Sequence, residues 1–214
     1  MKEIYQLYIF FLRKYGKPRD FWGKWCKRQK TKKDKEEILF GAILTQRTSW
    51  KNVELALKNL REAKILSIEK IYQVGEKNNR ESLEKLIRPA GFYRQKAKRL
   101  FILSKFIVEN FKTLENFLKQ DLKTCREQLL ELSGIGTETA DSILLYAGQK
   151  PIFVIDEYTR RFVKEHNLSN KLSYDYLQDL FQKSLPQDVK IYQDFHAMIV
   201  LKGKGTDWDL VSKI

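Results

Sequence analysis

The chain is poor in residues that interrupt or cross-link a fold. Of its 214 residues only two are cysteine, Cys26 and Cys125, far apart and without metal-ligand spacing. Two thiols exclude a disulfide framework, and they exclude a cysteine-ligated cubane cluster, which takes four thiolates. A reduced, cytosolic setting is the natural inference. Proline occurs four times and glycine ten, so breakers are scarce and helix-period patterns dominate. No apolar run approaches the ~20 residues a membrane span needs. The opening MKEIYQLYIFFLRKYGK is basic and aromatic. It lacks a small-residue cleavage site and reads as an amphipathic helix rather than a signal peptide. Acidic residues are in deficit too, with Asp+Glu 27 against Lys+Arg 41 and a formal net charge of +14. An excess of that size favours a polyanionic partner, most often nucleic acid; the alternative is a lysine-rich surface with none. Beyond one basic run there is neither low-complexity sequence nor internal repeat.

What is present suits a helical protein. Hydrophobic residues make up 43%, enough for a core, and the length fits one large domain or two small interlocked ones. Tyr5, Tyr8, Ile9 and Leu12 fall on one helical face. Residues 16–37 read as a loop, with Gly16, Pro18, Gly23 and the charged run KRQKTKKDKEE. Within it lie the aromatics Phe21, Trp22 and Trp25. An apolar helix follows at Ile38–Gln46, then helices near 51–63, 67–74, 79–88, 93–110, 113–119 and 123–131. The run PIFVID, Pro151 to Asp156, is isolated, so an extended linker is more economical than a strand. Asp156 then N-caps the helix EYTRRFVKEH. Helices near 173–184 and 188–202 complete the pattern, and the tail GKGTDWDLVSKI forms a short cap. The fold class is all-α.

Two features carry chemistry. In LSGIGTETA, Leu132 to Ala140, two glycines flank one apolar residue ahead of a helical stretch. Glycine lacks a Cβ and takes positive φ, so N–H groups there meet a phosphate closely, and a helix N-terminus adds partial positive charge. A tight αα turn without a ligand has the same glycines. Downstream, an N-cap position keeps Asp156 ionised through backbone N–H groups and the helix dipole. An ionised acid beside a breaking N-glycosidic bond stabilises an oxocarbenium-like sugar and orients water.

The hairpin reads Leu-x-Gly-apolar-Gly-x-x-Thr-Ala, and a proline-led apolar run ending in Asp follows it. GAILTQRT (Gly41–Thr48), RPAGFYRQKAKRL (Arg88–Leu100) and DFHAMIVLKGK (Asp194–Lys204) flank these in the same order. In all of this the chain resembles the endonuclease III superfamily of helix-hairpin-helix DNA glycosylases. The resemblance implies two helical lobes with a cleft between them. Residues 36–150 would form the central lobe, ending in the hairpin, and residues 1–35 with 151–214 the second, with Asp156 facing the cleft. It implies phosphate contacts at Gly134, Ile135, Gly136 and Thr139, and a monovalent cation at the carbonyls of Leu130, Leu132 and Ile135. Asp156 becomes the catalytic acid. Phe21, Trp22 and Trp50 become stacking rings for an extruded base, which by cation–π attraction favour a cationic purine by ~0.5–2 kcal/mol. Gln46 matches the residue that inserts into the gap left in the duplex.

Two departures sharpen the resemblance. Bifunctional members carry a lysine where this chain has Glu138, and that amine forms the Schiff base for strand cleavage. Without it, a monofunctional enzyme is expected. No cysteine follows Cys125, so the iron–sulfur loop is expected to be absent. No cofactor is then called for apart from the monovalent cation. The likeness is closer to the clusterless 3-methyladenine DNA glycosylase III type. The implied activity is base-excision repair in a bacterial or archaeal cytoplasm, at the nucleoid. Its partner is double-stranded DNA holding a damaged base, with no membrane, and a monomer suffices. Rival readings are a uracil or mismatched-thymine glycosylase, a bifunctional glycosylase and abasic-site lyase, and a non-catalytic DNA-binding module. Arg94, Lys96, Lys98, Arg99 and the run Lys27–Lys35 offer phosphate contacts. His196 reads as a core histidine and His166 as a surface one.

Overall fold

With few breakers, the chain passes from helix to helix. In the computed structural model, residues 2–18, 20–77 and 80–205 are described, the side chains of Lys2, Asp20 and Phe21 excepted. Among them run α1 (Lys2–Tyr15), α2 (Asp20–Trp25), α3 (Lys32–Leu44), α4 (Trp50–Glu62), α5 (Ile68–Lys77), α6 (Glu81–Ile87) and α7 (Tyr93–Phe111). Then come α8 (Leu114–Leu118), α9 (Leu122–Leu130), α10 (Thr137–Ser142), α11 (Glu157–Glu165), α12 (Tyr174–Ser184) and α13 (Val189–Gly203). A 3₁₀ turn at Arg88–Ala90 leads into α7, and a π-helical turn at Ile143–Ala147 prolongs α10. The fold is all-α. It divides into Lys30–Gly148 and the described parts of Met1–Gln29 with Gln149–Ile214. The tail 206–214, expected to form a cap, lies outside the described residues.

The unit Lys30–Gly148 is built around α3. Its run ILFGAIL is apolar all round, so every residue from Ile38 to Leu44 is buried. A helix of that kind must be enclosed, and α4, α7, α8, α10 and the π turn pack against it. The breakers and charges of residues 16–37 predict a loop; here the structure differs. Thr31 accepts the Asp34 N–H and Asp34 accepts the Thr31 N–H. This reciprocal cap starts α3 at Lys32, so the charged KKDKEE stretch forms its first turns. One-way N-caps start two later helices: Thr113 accepts the Asn116 N–H for α8, and Asp121 the Thr124 N–H for α9.

In the second unit α13 plays the enclosed part, with Tyr192 to Val200 buried without interruption. Rings supply the packing: Phe162 meets Phe195 edge-on at 5.8 Å, and Phe153 stacks on Phe181 at 4.6 Å. The segment Pro151–Asp156 is extended, as its isolation implied, and Ile152 to Ile155 are buried. Buried backbone needs partners, and α12 supplies two. Gln182 accepts the Phe153 N–H at 3.0 Å, and Gln178 donates to the Phe153 carbonyl at 2.7 Å. Two glutamines one turn apart thus do for this segment what a neighbouring strand would do in a sheet.

Candidate active site and nucleic-acid interface

Asp156 ends the extended segment and N-caps α11. Its Oδ1 accepts the Thr159 N–H at 2.7 Å and the Thr159 hydroxyl at 2.9 Å. Its Oδ2 lies 3.5 Å from His196 Nε2 on α13, and both side chains are nearly enclosed, 14% and 5% exposed. Burial pushes this carboxyl up, but His196 and the two donors of Thr159 outweigh it, and the net shift is below the usual carboxylate range. The group is therefore an anion at neutral pH, held in one orientation. His196 stands edge-on to Trp22 at 5.9 Å and to Phe153 at 6.3 Å. Burial lowers the Lys204 amine at the end of α13, and the Asp156 charge opposes that shift. The sequence reading took His196 for a core histidine. It is one by burial, yet its Nε2 also stands beside Asp156 Oδ2; the only signal was an imidazole within an apolar helix.

The glycine turn joins α9 to α10 in the other unit. Arg126 on α9 grips Asp141 on α10 with two bonds, Nε to Oδ1 at 2.7 Å and Nη2 to Oδ2 at 3.2 Å. Asp141 is fully enclosed, so the clasp fixes the two helices as a unit. Gly134 takes φ +87°, and a Cβ there would run into the Arg99 side chain. Gly136 has an ordinary φ of −92° and open space where a Cβ would stand. Ile135 is buried and its N–H donates to the Leu132 carbonyl at 3.0 Å. Thr139 is buried as well, its hydroxyl accepting from Gln46 Nε2 at 2.9 Å. Ser133 and the two glycines are thus the exposed parts of the turn.

Gln46 belongs to the same network. Its Nε2 also donates to the Gly134 carbonyl at 3.1 Å, and Arg99 Nη1 donates to its Oε1 at 2.5 Å. The side chain ties the end of α3 to the hairpin. Lys96 was grouped with possible phosphate contacts; it is buried instead, donating to the carbonyls of Leu44 and Ala90, both at 2.8 Å. Glu138 is exposed in the first turn of α10. Trp50 is half-buried at the first position of α4. Trp22 is buried and meets Trp25 edge-on at 5.8 Å. Phe21 falls in α2, its side chain outside the described residues. The described residues include no group of three or more His, Cys, Asp or Glu arranged to hold a metal ion, and both cysteines are buried thiols, Cys26 donating to the Gln193 carbonyl and Cys125 to that of Phe117. No described helix is long and apolar enough to cross a membrane.

Comparison with known proteins places this arrangement among others. The sequence model of the HhH-GPD superfamily of base excision DNA repair proteins matches residues 40–187. A protein of Methanocaldococcus jannaschii assigned as a DNA repair glycosylase is 44% identical over 200 residues, 92% of this chain and 85% of that one. Endonuclease III of Thermotoga maritima is 29% identical over 162 residues, 73% of this chain and 68% of that one. Among solved structures, the 3-methyladenine DNA glycosylase of H. pylori, bound to 1,N6-ethenoadenine, superposes with a TM-score of 0.77. It is 31% identical and the match covers 96% of this chain and 98% of that one.

Proposed function

We infer the reaction from one premise: the chain belongs to the HhH-GPD superfamily of base excision DNA repair proteins, and it is a DNA glycosylase. We propose that it hydrolyses the N-glycosidic bond of a damaged base flipped out of duplex DNA, with an alkylated purine such as 3-methyladenine as the favoured lesion. We propose also that it leaves the abasic site uncut. The observation that carries this is Asp156, a carboxylate held ionised and aimed by Thr159 and His196. A purine alkylated at N3 is a cation and departs as a neutral base, so no strong general acid is required. As the C1′–N9 bond breaks, its electron pair goes to the base. The developing sugar cation is stabilised by the Asp156 anion, water adds at C1′, and the proton released passes to that carboxylate.

The other roles follow the same reading. Trp22, Phe21 and Trp50 stack on the extruded base. The turn at Gly134, Ile135, Gly136 and Thr139 takes a phosphate, with the open face of Gly136 as its closest approach. A monovalent cation is held by the carbonyls of Leu130, Leu132 and Ile135. Carbonyl oxygens suit a hard cation, and that of Leu132 keeps a lone pair beyond its bond from Ile135. Gln46 inserts into the duplex only after releasing its bonds to Gly134, Thr139 and Arg99. Glu138 carries no amine, which supports a monofunctional reaction. The protein acts as a monomer on DNA at the nucleoid.

Duplexes carrying 3-methyladenine, 1,N6-ethenoadenine or uracil, scored for base release with and without alkaline cleavage, test the reading. Release from the alkylated purine, with strand breaks only after alkali, is expected. Asp156→Asn should lower the rate at least about a hundredfold. Unchanged release by that variant would sink the mechanism, and a borohydride-trapped adduct would sink monofunctionality.

A further inference from the structure

We propose that His196 is a positioning residue for base release: it holds Oδ2 of Asp156 in place and keeps the carboxylate charged in a nearly closed surrounding. The inference rests on the glycosylase reading of Asp156 and deepens it. Four observations converge. Thr159 occupies Oδ1 alone, through both its N–H and its hydroxyl, so Oδ2 is the oxygen left to face other groups. His196 Nε2 stands 3.5 Å from that oxygen. The imidazole cannot swing away, because α13 is buried around it and its ring abuts Trp22 and Phe153. A carboxylate only 14% exposed sits where desolvation alone would favour the neutral acid, and the adjacent imidazole opposes that.

Several groups surrounding the pair can be assigned. From α2 the neighbour is the Trp22 indole, and from the extended segment it is the Phe153 ring; neither titrates. From α11 come Asp156 itself and the Thr159 hydroxyl. The Lys204 amine at the end of α13 acts on the same carboxylate, without a direct ion pair of 4 Å or less. Asp194, earlier on α13, is paired with Arg28. His196 is thus the ring whose Nε2 lies 3.5 Å from Asp156 Oδ2, and the downward shift of that carboxyl has His196 as its largest favourable cause. Because base release requires the Asp156 anion, loss of His196 raises the carboxyl and moves the acid limb of the rate profile to higher pH.

Single-turnover base release between about pH 5 and 8 by wild type, His196→Gln and His196→Phe tests this. The phenylalanine keeps a ring against Trp22 and Phe153 but carries no charge. Both variants should lose rate most at the acidic end, roughly tenfold below wild type near pH 5, with DNA affinity unchanged. A profile parallel to wild type in both variants, or full rescue by phenylalanine, would overturn the proposal in favour of simple packing. Carboxyl ¹³C titration of Asp156 provides a readout that needs no turnover: its midpoint should rise in both variants, and an unmoved midpoint would equally overturn the pairing. If wild type released no base from any lesion, the glycosylase chemistry would fail while this titration still judged the pair.

Discussion

Two enclosed charges, Asp156 and Lys96, receive opposite treatment from the fold. Asp156 is given the two donors of Thr159 and the His196 imidazole, and its carboxyl moves down. Lys96 is given two carbonyl acceptors, Leu44 at the end of α3 and Ala90 in the 3₁₀ turn. Burial, with the Arg99 charge adding, nevertheless pushes its amine from 10.5 down to about 8. Below about 8 both folded and unfolded chains hold this proton. Between about 8 and 10.5 the unfolded chain binds it and the folded chain does not, so this group's contribution to stability rises with pH through that window and is lost as pH falls back through it. Lys96→Met should abolish that rise. It should also destabilise by about 1–3 kcal/mol at neutral pH, because two buried carbonyls lose their donor. Urea midpoints across the window, wild type against variant, check both. The sequence held a sign of this burial: Lys96, Leu100, Leu103 and Ile107 recur at helical spacing, and all four are buried. A lysine within an apolar stripe is a core lysine, whatever the charges beside it suggest.

In the hairpin, the two glycines of one motif are required for different reasons. Gly134 lies at φ +87° against the Arg99 side chain, so its lack of a Cβ serves the fold. Gly136 has ordinary backbone and empty space before it, so its lack of a Cβ is not needed by the fold and leaves open the face proposed to take a phosphate. Gly134→Ala should cost about 1–2 kcal/mol of stability from the left-handed backbone alone, before any displacement of Arg99. Gly136→Ala should cost under about 1 kcal/mol, the loss of a tolerable N-cap, while weakening DNA binding. Thermal melts beside binding isotherms separate the two, and equal behaviour of the variants would refute the distinction. The hairpin and the helical class were legible because local periodicity and glycine spacing carry them. The start of α3 was not, since its first turns are charged and only the Thr31–Asp34 cap betrays them. Nor were Gln178 and Gln182, which satisfy Phe153 from a helix well downstream. Nor was the approach of His196 to Asp156, which needs α11 and α13 packed together. What the sequence left dark depends on tertiary neighbours.

For the whole molecule, the question is whether the +14 charge acts as a diffuse field or through a few contacts. Many lysines already face acids: Lys32, Lys58, Lys105, Lys123, Lys183 and Lys202 lie 2.6 to 3.9 Å from glutamate or aspartate oxygens. Such exposed pairs add little stability, but they neutralise their surroundings. Along the start of α7 the supply thins further, because Lys96 is enclosed and Arg99 is engaged with Gln46. Arg94 faces Glu84 at 4.0 Å, which leaves Lys98 exposed there and Arg47 beside Gln46. At physiological salt, charge more than ~8 Å from a phosphate is largely screened, so contacts should dominate equilibrium binding. The logarithm of affinity should fall linearly with that of salt, by about 0.9 for each phosphate neutralised. Arg47→Ala and Lys98→Ala should each flatten the slope by about 0.9 where the residue touches a phosphate. Lys123→Ala and Lys183→Ala, which remove charges already paired, should leave it unaltered. Equal flattening by both sets would mean that total charge, not the ground around the hairpin, sets the affinity for DNA.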